Sequence, residues 1–129
     1  MKRVLQPAGW SPPRGYANGV AAHGTLISVA GQVGGNAQGK IETGDFVAQV
    51  RRALENVLAV LAEADAGPEH IVRMTWYVTN KVEYLARGRE VGAVFRELIG
   101  SYDIAMSAVQ VAGLVEEGAK VEIEVTAVR

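Results

Sequence analysis

From Phe46 onward the apolar residues Phe46, Val50, Leu54, Val57, Leu58 and Leu61 recur at helical spacing, which lays them along one face of an α-helix. Asp45 stands where an N-cap is needed, and Gly67-Pro68 marks the expected end. A second helical period runs through Leu85, Val91, Val94, Phe95, Leu98 and Ile99 and predicts a helix over 83–100, weakened by Gly88 and Gly92. Between and around them lie runs with strand character: TLISVAGQV (25–33), IVRMTWYVT (71–79), AMSAVQV (105–111) and KVEIEVTAV (120–128). In the last, Val121, Ile123, Val125 and Ala127 alternate with Lys120, Glu122, Glu124 and Thr126, so one face is apolar and the other polar.

This order predicts an α+β layer with both helices on one face of a mixed sheet. The strand over 105–111 puts Ala105, Ser107, Val109 and Val111 on one side and Met106, Ala108 and Gln110 on the other, and neither side reads as exposed. The strand over 71–79 likewise carries apolar residues toward both faces. Two helices cover only one of them, so further copies of the chain are expected to cover the other. Residues 6–15, QPAGWSPPRG, hold three of the four prolines and predict an irregular entry; GGNAQGK (34–40) predicts a turn or loop.

A chain of 129 residues with 49% apolar and 21% charged side chains is enough for one folded domain spanning 1–129. Thirteen Lys and Arg against fourteen Asp and Glu leave a net charge of −1, which argues against nucleic acid as the main partner. No apolar run approaches the roughly 20 residues needed to cross a bilayer, so a soluble, cytoplasmic protein with no membrane partner is expected. The absence of cysteine excludes disulfides, thiolate nucleophiles and Cys-ligated zinc.

Few residues offer chemistry. Gly34, Gly39 and Lys40 fit the start of a phosphate-binding loop, but Ile41 stands where a hydroxyl would hold magnesium, and the helix begins too late for its amides to cradle phosphates. His23 and His70 lack the spacing of a metal pair and read as surface or loop-end residues. Trp10 and Trp76 read as packing residues, although Trp10, beside prolines, could flank a cleft. Glu122 and Glu124 share one face of the last strand, roughly 7 Å apart. If the opposite face packs on the helices, these carboxylates point toward the expected subunit interface, where Glu122 is a candidate for proton exchange.

Five stretches, in order, carry a resemblance: RGYANGV (14–20), LISVAGQV (26–33), ALENVLAVLAEADA (53–66), IVRMTWYVTN (71–80) and VEIEVTAV (121–128). Together they are similar to the RidA/YjgF family of reactive enamine/imine deaminases, also labelled endoribonuclease L-PSP. The resemblance implies a chorismate-mutase-like α+β fold, a homotrimer with ligand clefts between subunits, and hydrolysis of small enamine or imine metabolites to a carbonyl compound and ammonia, with no cofactor and no metal. It assigns acid/base chemistry to Glu122 and places Tyr16 and Gly31 in the substrate pocket.

The resemblance also exposes departures. The family's P-A-R-S segment, whose arginine clamps the substrate carboxylate, reads I-A-M-S here, with Met106 at the arginine position. The hydroxyl residue before G-Q is Ala30, the cysteine after the arginine is Ala108, and a helix asparagine corresponds to Gly88. A thioether cannot neutralise a carboxylate, so a changed substrate preference or a non-catalytic metabolite-binding trimer is expected; Arg14 and Lys120 are the candidate replacement cations. A ribonuclease is less favoured, because neither a basic patch nor a histidine pair is present.

Overall fold

In a computed structural model of the chain, which describes residues 2–129, six strands and three α-helices follow one another as β1 (Lys2–Leu5), β2 (Gly19–Ala22), β3 (Leu26–Val33), α1 (Phe46–Ala62), β4 (Ile71–Val78), α2 (Lys81–Ala86), α3 (Gly88–Leu98), β5 (Ala105–Gln110) and β6 (Val121–Val128). The main sheet has the order β3-β6-β4-β5: β6 runs antiparallel to both neighbours, and β4 pairs with β5 in parallel. It is the mixed sheet of an α+β fold. A parallel pair needs a crossover, and α2 with α3 supplies it. No helix among the described residues is long and apolar enough to cross a membrane.

The core lies between this sheet and α1 and α3. Phe46, Val50, Ala53, Leu54, Val57 and Leu61 of α1 are buried against Met74, Trp76 and Val78 of β4 and Val121, Ile123, Val125 and Ala127 of β6. Asp45 caps α1 as expected, accepting the Ala48 N–H at 2.9 Å. Gln49, on the buried face of that helix, has no exposed surface. Its amide donates to the Thr43 and Gly118 carbonyls at 2.8 and 3.0 Å and accepts the Lys120 N–H at 2.8 Å, so a polar side chain ties the helix to the start of β6.

The structure departs from the sequence reading in four places. The helix expected over 83–100 is two helices: Asn80 caps α2, Arg87 leaves helical geometry at φ −100°, and Gly88 restarts the chain as α3. Arg87 is held at the break by Glu90 at 2.6 Å and reaches Asp45 at 3.4 Å. Helix α1 ends at Ala62, short of Gly67, because Asp65 turns into the left-handed region at φ 52° and Pro68 opens a separate 3₁₀ turn. The hairpin β1–β2 had no periodic signal; four-residue strands are too short to show one.

The fourth departure concerns the uncovered sheet face. Beyond the helices β4 presents Arg73, Thr75 and Tyr77 and β6 presents Glu122, Glu124 and Thr126, while apolar groups lie toward the margins: Ala105 and Val109 on β5, and exposed Leu26 of β3 paired with Val128. The centre of the face is polar, contrary to the apolar second face expected of the strand over 71–79. Strand β5 is an edge strand exposed over most of its length, which is why both its faces look unsolvated in sequence without being core.

Candidate functional site

Glu122 stands in β6 between Val33 of β3 and Tyr77 of β4. Opposite it, β3 slips register between Val29 and Gln32, and that bulge carries Ala30 and Gly31. The glutamate side chain folds back over Gly31: a Cβ at that position would fall 2.7 Å from Glu122 Cδ and 2.8 Å from Cγ. A side chain at this position would have to displace the carboxylate end of Glu122. Beside it, Tyr77 donates its hydroxyl to Glu124 Oε1 at 2.6 Å. That hydrogen bond, with partial desolvation and the nearby Glu124 and Glu122 charges, raises the Tyr77 pKa above its ordinary value.

On the opposite side of the sheet lies a cavity of about 480 Å³, within the range of small-molecule sites. Parallel register puts Met106 beside Met74 and Ala108 beside Trp76, so both point to the helix side of the sheet and line it. Gly88 and Gly92, one turn apart on α3, leave its wall bare. Arg14 and Tyr16 reach it from the entry segment, which Gly15 turns at φ 80° and the Ala17 N–H fastens to the Ile104 carbonyl at 2.8 Å. Tyr84, Phe95 and Tyr102 add aromatic rings to the lining. Trp76 is 3% exposed, and its indole N–H has no acceptor among the described residues. A buried donor left unpaired costs about 1–3 kcal/mol.

The sequence candidates therefore divide into two groups. Tyr16, Met106 and Ala108, with Gly88, belong to the cavity; Glu122, Gly31 and Ala30 belong to the opposite face. One chain does not bring the glutamate and the methionine together. Of the two candidate cations, Arg14 lines the cavity and makes no ion pair among the described residues, whereas Lys120 stays outside it, 3.7 Å from Glu83. His70 accepts the Gly67 N–H at 3.0 Å, His23 is exposed, and no group of acidic or histidine side chains among the described residues could hold a metal. The loop over 34–40 is a turn: Asn36 accepts the Gln38 and Lys40 N–H groups, and Gly39 turns the chain at φ 79°.

What sequence reasoning missed is the part Trp76 plays. It reads as packing, and it does pack, 6.2 Å from Tyr84 and 6.5 Å from Phe95 between ring centroids. Its position on the cavity wall follows only from the pairing of β4 with β5, which no local pattern reveals.

The sequence profile of the family described as Endoribonuclease L-PSP matches residues 9–129. The chain belongs to the RidA/YjgF family. It is 31% identical to a RutC family protein of Aquifex aeolicus over the full length of both chains. It is 32% identical to the 2-iminobutanoate/2-iminopropanoate deaminase of Escherichia coli, covering 88% of this chain and 87% of that one. Among solved structures it is similar to YyfB of Yersinia pestis, a Rid family protein of unknown function, with a TM-score of 0.87 at 31% identity over 99% and 98% of the two chains. Of the positions that the sequence reading singled out, Met106, Ala108 and Gly88 sit on the cavity and Ala30 on the bulge beside Glu122.

Proposed function

We propose that this protein is a homotrimeric hydrolase that deaminates reactive enamine or imine metabolites at clefts between subunits, with Glu122 as acid and base. The observation that carries the reading is the placement of Glu122: its carboxylate is folded over a bare glycine on an uncovered sheet face, in a chain 32% identical to an imine deaminase. Because Met106 and Glu122 lie on opposite faces of one sheet, a cleft that uses both is made from two copies.

The chemistry needs little. An enamine tautomerises to the imine; water adds to the imine carbon as one of its protons passes through Glu122 to nitrogen, giving a carbinolamine, and the C–N bond breaks as the hydroxyl proton passes by the same carboxylate to the departing nitrogen, giving a carbonyl compound and ammonia. Each atom of water is accounted for, and no external oxidant or reductant enters. To test the reading, enamines are generated in place by a pyridoxal-phosphate enzyme and carbonyl release is followed. Acceleration that Glu122→Gln abolishes in a folded protein supports it. No acceleration over buffer, with acidic and neutral side chains alike, removes it.

A second reading, a non-catalytic trimer that binds a metabolite, is favoured by one observation: the cavity holds Met106 where an anion clamp is expected. In that case Glu122→Gln leaves ligand affinity unchanged and there is no turnover to lose. Ribonuclease activity has the least support, since the chain carries no net positive charge.

A further inference from the structure

Five of the chain's eight aromatic side chains, Tyr16, Trp76, Tyr84, Phe95 and Tyr102, line one cavity, and Met106 joins them. Phe95 and Tyr102 stack at 5.5 Å with their planes 7° apart, presenting flat surface. The wall opposite is stripped: a Cβ at Gly88 would meet nothing within 4 Å, and one at Gly92 would meet only the Arg96 guanidinium at 3.5 Å. Trp76, which lines this apolar surround, has an indole N–H that is fully buried and without a partner among the described residues. The one cation on the lining, Arg14, belongs to the exposed entry segment.

We infer that the cavity takes a ring-bearing or comparably bulky apolar carbonyl or imine in place of a small 2-imino acid held by its carboxylate. Aromatic walls favour a flat apolar group, and the missing side chains at Gly88 and Gly92 give it room. A carboxylate at Met106 would instead be desolvated against a thioether and aromatic rings. The inference names the substrate class for the deaminase reading and rests on it.

The test reads binding, apart from turnover. Trp10→Phe, on the exposed entry segment, leaves Trp76 as the only tryptophan, so one indole N–H signal remains in a ¹H–¹⁵N NMR spectrum. Acetophenone is expected to shift that signal and to saturate, at least tenfold tighter than pyruvate, and ethylbenzene, with the ring alone, is expected to shift it too. Gly88→Leu, which fills the cavity from an open position, is expected to abolish the acetophenone effect. An unmoved signal, or pyruvate binding as tightly as acetophenone, overturns the inference. Acetophenone binding without turnover of any imine counts against the deaminase reading alone; turnover of 2-iminobutanoate without acetophenone binding counts against this inference alone.

Discussion

Replacing Met106 with arginine puts a guanidinium where the cavity has a thioether. The side chain lies half-buried on the helix side of β5, in register with Met74, and its surroundings are Trp76, Phe95 and Tyr102. A charge-assisted hydrogen bond to a carboxylate contributes about 1.5–3 kcal/mol net, and desolvating the new cation takes back part of that, less at a half-buried site than in a full core. The Kd for pyruvate is therefore expected to fall by roughly tenfold, below the ceiling of about 150-fold that the undiscounted bond would set, measured by isothermal titration calorimetry at low salt. Met106→Lys, a single-point donor, should gain less, and acetophenone should bind Met106→Arg more weakly than the parent chain. The reasoning fails if Met106→Arg stays folded and binds pyruvate no better than the parent, because Met106 would then not face the ligand.

Three further outcomes follow from the same geometry. Gly92→Ala adds a good helix former inside α3 where its Cβ makes only ordinary contact, so urea denaturation should show a gain of about 0.5–1 kcal/mol, together with weaker ligand binding as the wall thickens. Gln49→Leu leaves two carbonyls and one N–H without their buried partner and should cost about 3 kcal/mol in the same assay. For pH, Tyr77 is held protonated by Glu124, so its contribution is fully present below the unfolded tyrosine value near 10 and lost as pH rises through the higher folded value; Glu124→Gln should move one tyrosine to lower pH in an absorbance titration near 295 nm.

Much of this fold was legible because its long elements carry strong periods. Helix α1 announces itself by its apolar spacing, Asp45 by its position before Phe46, and β6 by strict alternation, since each pattern reflects one buried face. The break at Arg87 was half legible: Gly88 weakens a helix, but the ion pairs with Glu90 and Asp45 that hold the break are set by tertiary placement. Burial of Gln49 and the polar outer face of β4 were not legible, because a glutamine or an arginine in sequence does not say which side of a layer it occupies. The candidate site followed the same division. Glu122 could be assigned a face from alternation and Gly31 a place from resemblance, whereas the separation of Glu122 from Met106 by the thickness of a sheet required the register of β4 with β5. The aromatic lining of the cavity comes from β4, α2, α3 and two loops, and no window of sequence contains it.

The account stands on one spatial claim, that the glutamate face of one copy closes the methionine cavity of another. The absence of native cysteine makes it directly measurable. Chains carrying Ala30→Cys, beside Glu122, are mixed and refolded with chains carrying Ala108→Cys, in the cavity, then mildly oxidised and resolved by mass. The account predicts an interchain disulfide joining the two kinds of chain and absent when either is oxidised alone. Folded chains that form no mixed disulfide, and that sediment as single copies at micromolar concentration, would contradict it.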